Sequence, residues 1–355
     1  MSLFKEMLHS GETLFRDTII LEYDFQPKIL KFRETEQQRF ALAVKPLLHG
    51  QTGRNLFVYG APGIGKTSAC KNVIRELEEE TQDIIPIYIN CWKENTTFRV
   101  YSEICEQLGF KFLNNKRTNE LFSMLKKISN KKSVVFIFDE IDKLEDNDFL
   151  YTILEEIHRK TIILITNYRD QYSELDERIR SRLNPEFLYF KEYNSTEIAG
   201  ILKERRKYAF VQGCWDEEAF QELVEKCCEA KDVRIGLYLM RESGNLAEEK
   251  SARKITLEHV AKAIKKVESF QIKSTEEMDT EALQVLEIIK EHSGKKIGEA
   301  YNAYMNKGGK MSYRSFQRRV AKLDAGKYIS TEKISGEGGN TTLLYHSSDK
   351  KLTDY

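Results

Sequence analysis

Five short apolar runs punctuate residues 55 to 193: NLFVYG, IIPIYIN, VVFIFDE, TIILITN and EFLYF. Amphipathic stretches of helical period lie between the first four. Runs of this length bounded by turns read as buried strands, and their alternation with helices argues for a mostly parallel α/β sheet with helices on both faces. From Ser195 to about Phe270 the period changes. STEIAGILKERRKYAF, DEEAFQELVEKCCEA, VRIGLYLMRESGNLAEEK and TLEHVAKAIKKVES repeat apolar residues at steps of three and four, which predicts a small helical domain. QIKSTEEMD is polar throughout and reads as a linker. Three more helical segments follow, then ISTEKISGEGGNTTLLYH, which alternates and turns at GEGGN like a β-hairpin. The expected organisation is an α/β domain over 1–193, a helical domain over 194–270, a linker over 271–279 and a third domain over 280–350.

Composition narrows this picture only slightly. An apolar fraction of 41% fills ordinary cores, and the 56 basic and 56 acidic residues cancel, so any affinity for nucleic acid must come from local charge. Six cysteines show no C-x-x-C spacing and no histidine partner pattern, which suggests buried free thiols. With no secretory h-region and no apolar stretch long enough to span a bilayer, the chain is expected to be cytoplasmic, with no membrane partner.

The first chemistry lies directly after NLFVY. Residues Gly60, Ala61, Pro62, Gly63, Ile64, Gly65, Lys66 and Thr67 read GAPGIGKT, with Ser68 opening the helical pattern behind them. The string fits the P-loop pattern in its strand–loop–helix context. Its glycines let backbone N–H groups surround phosphate oxygens, and the helix N-terminus favours the anion. Lys66 is expected to neutralise the β- and γ-phosphates of ATP or ADP, and the Thr67 hydroxyl to ligate Mg2+.

A second signal stands 73 residues after Lys66, where VVFIF ends in Asp139 and Glu140. A carboxylate at the carboxyl edge of a buried strand beside a P-loop can hold magnesium, and the next can polarise the attacking water. TIILIT ends in Asn167, whose amide is expected to hold water between that second carboxylate and the γ-phosphate.

Taken in order, GAPGIGKT, FDEID, LITN and ELDERIRSRL resemble the AAA+ ATPases, and within them the archaeal initiators related to the origin recognition complex and cell division control protein six. The resemblance spans residues 20 to 350. It implies that Arg33, in the entry stretch EYDFQPKILKFRETEQQRF, lies near the adenine, and that Arg234, in VRIGLYLMRESGN, is a lid arginine reaching the γ-phosphate. In AAA+ assemblies an arginine of the ELDERIRSRL segment enters the neighbouring subunit's site. Arg182 is the first choice here and Arg178 the second, although many archaeal initiators carry serine at the place of Arg182.

Local charge concentrates in the last domain. Residues 290 to 333 hold eleven Lys or Arg and four acids, a surplus of seven in a neutral chain. After Ser312, Tyr313, Phe316, Val320 and Leu323 share one helical face and are expected to pack inward, leaving Arg314, Gln317 and Arg318 free for a major groove. Three helices and a glycine-tipped hairpin resemble a winged-helix domain, with Lys333 on the wing. The resemblance therefore implies a replication initiator that binds duplex origin DNA, hydrolyses ATP slowly as a switch, and works with an AAA+ neighbour and the replicative helicase on the nucleoid. The alternative is an AAA+ machine component, such as a clamp-loader subunit or transposition helper, whose last domain binds protein.

Overall fold

The five apolar runs form one parallel sheet: β1 (Leu56–Tyr59), β2 (Ile84–Asn90), β3 (Ser133–Asp139), β4 (Lys160–Thr166) and β5 (Glu186–Tyr189), in the order β2-β3-β4-β1-β5. The computed structural model describes residues 13–111, 113, 116–276, 280–309, 311–325, 328–336 and 339–346. Every residue of β3 and β4 is buried, as expected of central strands covered on both faces. β2 is an edge strand, where Pro86 costs no ladder bond on its open side. Register brings the strand ends level: Tyr59 stands beside both Thr166 and Tyr189, and Asp139 beside Asn90 and Ile165. The loops after β1, β3 and β4 therefore leave the sheet at one edge, the carboxyl edge, where α/β sheets bind ligands.

Among the described residues, seven helices accompany the sheet: α1 (Glu34–Leu48), α2 (Lys66–Glu80), α3 (Thr97–Gln107), α4 (Thr118–Ser129), α5 (Asp148–Glu156), α6 (Gln171–Glu174) and α7 (Glu177–Leu183). The apolar stripes of α3, α4, α5 and α7 join strand residues such as Phe57, Ile87, Phe136, Phe138 and Leu164 in one core, to which Val100, Ile104, Leu121, Leu125, Phe149, Ile153 and Ile179 contribute. Five of the six cysteines are buried and none is bridged.

The lid opens with α8 (Ser195–Ala209), started by a capping box between Asn194 and Glu197, and continues through α9 (Glu217–Ala230), α10 (Val233–Glu249) and α11 (Leu257–Glu276). Leader residues fasten onto it. Phe15 bridges to Phe210 and lies tilted against its ring with centroids 4.8 Å apart, Arg205 donates to the Ile20 carbonyl at 3.1 Å, and Arg241 pairs with Glu22 at 2.8 Å. One expectation fails here. Residues 271–276 of the anticipated linker belong to α11, because Gln, Lys and Glu are good helix formers and nothing in QIKSTE breaks a helix. Residues 277–279 lie outside the described residues.

The chain divides into two compact units, the first ending at Ala263 and the second beginning at Ile264. The second holds α12 (Thr280–Glu291), β6 (Lys295–Lys296), α13 (Ile297–Asn306), α14 (Tyr313–Ala325) and the hairpin of β7 (Ile329–Gly336) and β8 (Gly339–His346). Its three strands are ordered β6-β8-β7, the winged-helix arrangement. Val285, Ile289, Ala300, Tyr304, Phe316, Val320, Leu323, Ile329 and Leu344 make its core. Glu337 and Gly338, the tip of the expected wing, lie outside the described residues.

Candidate nucleotide site and nucleic-acid interface

Each wall of the site comes from a strand end or a helix start. Gly63 and Gly65 of the P-loop adopt φ of +77° and +88°, values that glycine tolerates and other residues rarely do. The turn delivers Lys66 and Thr67 into the first turn of α2, with N–H groups facing the pocket and the positive end of the helix dipole behind them. A cavity of about 740 Å3 opens there. Its lining includes Pro62, Gly63, Gly65, Lys66, Thr67, Ser68, Asp139, Glu140, Asn167 and Arg234, so most of the expected residues do converge.

Lys66 is nearly enclosed. Its ammonium donates to the carbonyls of Gly60 at 2.7 Å and Ala61 at 2.8 Å and to Asn167 Oδ1 at 2.9 Å. Burial pulls its pKa down to about 8, with Asp139 opposing the shift and Arg234 adding to it. Asn167 is thus tied directly to the P-loop lysine. Gly60, Ala61 and Ile64 are not part of the cavity lining; the first two hold Lys66 through their carbonyls, and Ile64 is fully buried.

Asp139 is buried and accepts from Thr67 Oγ1 at 2.6 Å and Tyr88 OH at 2.8 Å, both on Oδ2, while the Glu140 N–H reaches Oδ1 at 3.0 Å. A hydroxyl and a carboxylate side by side form a hard-oxygen pair that suits Mg2+, which ordinarily takes one or two protein oxygens plus phosphates and water. Glu140 follows in a left-handed backbone, φ 58° and ψ 45°, which turns its side chain out of the strand and into the cavity. Burial first, then the Asp139 and Asp142 charges, hold its carboxyl above the usual range. A strained acid at a cleft, with raised proton affinity, is the arrangement expected of a base acting on water.

One expected nucleotide contact sits elsewhere. Arg33 is buried and absent from the cavity lining. Its guanidinium lies over the Tyr193 ring at 3.9 Å and donates to the Ile64 carbonyl at 3.1 Å and the Lys191 carbonyl at 2.6 Å. It braces the P-loop against the end of β5. The rest of the cavity lining includes Tyr23 to Lys31, with Ile201, Tyr208 and Leu237 from the lid. Arg182 and Arg178, expected to serve a neighbouring subunit's site, do not line this cavity. Arg182 pairs with Glu155 at 2.5 Å and covers the Tyr151 ring at 4.9 Å, and Arg178 pairs with Asp176 at 3.1 Å.

Asp232 and Tyr88 were not anticipated. Asp232 caps α10 by accepting from the Arg234 N–H at 3.0 Å, a role its place before VRIG makes readable afterwards. Tyr88 carries no motif.

In the second unit, Phe316, Val320 and Leu323 are buried on α14, and Arg314, Gln317 and Arg318 are exposed. Tyr313, expected inside, is 40% exposed. It begins the helix, beyond the core, and sets its ring edge-on against Tyr301 at 5.0 Å. Lys333 stands opposite Thr342 in the hairpin ladder.

The family model for an AAA domain matches residues 49–172, and that for a Cdc6 AAA+ ATPase-type lid domain matches residues 199–265. Together with the P-loop site, these define an AAA+ ATPase. ORC1-type DNA replication protein 1 of Archaeoglobus fulgidus is 30% identical, over 99% of this chain and 92% of its own, and the protein of the same name from Sulfurisphaera tokodaii is 30% identical over 96% and 94%. The chain belongs to the ORC1-type DNA replication protein family. Among solved structures, the Aeropyrum pernix ORC1 protein in complex with DNA superposes with a TM-score of 0.70 at 26% identity, covering 94% of both chains. Cdc6p from Pyrobaculum aerophilum shares the fold, with a TM-score of 0.65 at 17% identity, covering 93% of this chain and 94% of its own.

Proposed function

We propose that the protein is an ATP-dependent replication initiator that binds duplex origin DNA and helps load the replicative helicase, with ATP binding and slow hydrolysis as its switch. The observation that carries this reading is α14, with an apolar face buried and Arg314, Gln317 and Arg318 exposed, in a chain that aligns almost end to end with ORC1-type proteins. A clamp-loader subunit or transposition helper gains no support from a basic helix followed by a hairpin.

In this reading Lys66 holds the β- and γ-phosphates over the start of α2, and backbone N–H groups of Gly63 to Ser68 share their charge. Thr67 and Asp139 would hold Mg2+, which neutralises phosphate charge when bound. Glu140 polarises the attacking water, and Asn167 fixes the lysine. Arg234 reaches from the lid toward the γ-phosphate. Arg182 exchanges Glu155 for the phosphates of an adjoining AAA+ subunit. Arg314, Gln317 and Arg318 enter the major groove, and Lys333 lies along the backbone or minor groove. The site of action is the nucleoid in the cytoplasm; no helix among the described residues is long and apolar enough to cross a membrane.

Binding and turnover measured on one preparation test the switch. Glu140→Gln keeps wild-type ATP affinity, because the amide fills the same space, and loses about 10²–10⁴-fold in kcat, the usual worth of a catalytic base. Wild-type turnover in this variant would assign the base to another residue.

A further inference from the structure

Asp139 accepts two hydroxyl hydrogens on one oxygen, and only one of the donors belongs to a nucleotide motif. The second is Tyr88, on edge strand β2, whose OH lies 2.8 Å from Asp139 Oδ2, next to the Thr67 hydroxyl at 2.6 Å. Everything around Tyr88 fixes it. It stands in register beside Ile137 of β3. On the open side, where an edge strand leaves its polar groups bare, Gln107 of α3 accepts from the Tyr88 N–H at 3.2 Å and donates to its carbonyl at 2.8 Å. The Lys71 ammonium covers the ring at 4.4 Å, one turn along α2 from Thr67. The phenol therefore approaches Asp139 from a strand, a helix and a side-chain clamp that leave it little freedom. The ring also lines the cavity.

We propose that Tyr88 is a positioning residue for the metal–nucleotide site: its hydroxyl, together with that of Thr67, sets the plane of the Asp139 carboxylate so that an oxygen is presented to magnesium. The proposal rests on the reading of Asp139 as the metal-holding carboxylate. Without the phenol hydroxyl, Oδ2 keeps only the Thr67 hydrogen, a group that must itself turn a lone pair to the metal, and the carboxylate loses one of the three hydrogens, with those of Thr67 and the Glu140 N–H, that set its rotation about the Cβ–Cγ bond. Loss of an outer partner of a ligating group typically weakens metal affinity or activity by about 10–100-fold.

Tyr88→Phe in the full chain removes one oxygen and keeps the ring, its packing and the Lys71 contact. Affinity for a ribose-labelled fluorescent ATP is measured by fluorescence while Mg2+ is titrated from EDTA upward, and thermal unfolding is followed in parallel. The expected result is a half-saturating Mg2+ concentration raised about 10–100-fold, with metal-free ATP affinity and Tm unchanged. An unchanged magnesium requirement overturns the proposal, as does an equal loss of ATP affinity with and without metal, which would mean that the hydroxyl supports the loop itself. Asp139→Asn separates the two readings. If it raises the magnesium requirement while Tyr88→Phe does not, only the role of Tyr88 falls. If neither variant changes it, Asp139 is not the metal carboxylate and both readings fall.

Discussion

The Arg234 guanidinium grips Asp232, two residues earlier, with Nε 3.0 Å from Oδ1 and Nη2 2.6 Å from Oδ2. The same carboxylate lies against the P-loop: a Cβ on Gly63 would meet Asp232 Oδ1 at 2.3 Å. One acid at the start of a lid helix thus touches the phosphate loop of the base and holds the arginine proposed for the γ-phosphate. In the proposed reading ATP competes with Asp232 for that arginine and ADP does not.

Arg234→Ala is expected to weaken ATP about ten- to hundred-fold, the worth of a charge-assisted hydrogen bond, and to leave ADP affinity nearly unchanged. Equilibrium titration with both nucleotides decides this. Equal losses for ATP and ADP would make Arg234 a structural partner of Asp232 and no more.

Lys66 predicts a pH dependence. Its ordinary pKa of 10.5 is lowered by burial to about 8 in the free protein. Phosphates favour its charged form, so above about pH 8 binding must take up a proton, and ATP affinity falls there by up to about tenfold per pH unit. Stability of the free protein moves the other way. Between about 8 and 10.5 the unfolded lysine holds more protons than the folded one, so stability rises with pH over that window. Calorimetric titrations at several pH values in buffers of different ionisation enthalpy read both the proton uptake and the affinity. A flat affinity profile to pH 9.5, or a slope that persists in Lys66→Ala, contradicts the assignment.

Much of this site was legible because its residues end apolar runs. VVFIF followed by Asp139 and Glu140, and TIILIT followed by Asn167, place polar groups where buried strands reach the carboxyl edge, and the P-loop is a contiguous string. What stayed hidden depends on contacts between distant segments. Tyr88 is one aromatic among the apolar residues of IIPIYIN, and its partner lies 51 residues away in the neighbouring strand. Arg33 follows a resemblance to the loop's neighbourhood, but its stacking on Tyr193 and its bonds to Ile64 and Lys191 are set by the close of the β5 end over α1 and the P-loop. Helix α11 runs into the anticipated linker as far as Glu276, because polarity marks exposure, and a polar helix of Gln, Lys and Glu looks like a loop to that criterion.

Phe316 anchors the second unit, fully buried with Tyr304 at 5.4 Å and Tyr301 at 5.3 Å between ring centroids. Phe316→Ala should lower that unit's stability by about 3–5 kcal/mol, seen in urea unfolding followed by circular dichroism, and leave ATP affinity unchanged. A stability loss below about 1 kcal/mol would mean that the site collapses around the truncation without loss of packing.

The central claim, a nucleotide-switched protein that grips DNA through α14, is tested most directly by a salt titration of duplex affinity on the full chain. Wild type, Arg314→Ala/Arg318→Ala and Lys333→Ala are compared on several duplex sequences with ATP and with ADP. Both arginines are exposed, so the double variant keeps its fold. Each phosphate contact removed should flatten the slope of log K against log salt by about 0.9, and an arginine that reads a base should lose about 1–3 kcal/mol of discrimination at preferred sequences. The double variant should bind more weakly with a shallower slope, and wild-type affinity should differ between the two nucleotides. Duplex affinity that is the same for all three proteins at every salt concentration would contradict it and return the protein-binding reading of the last domain.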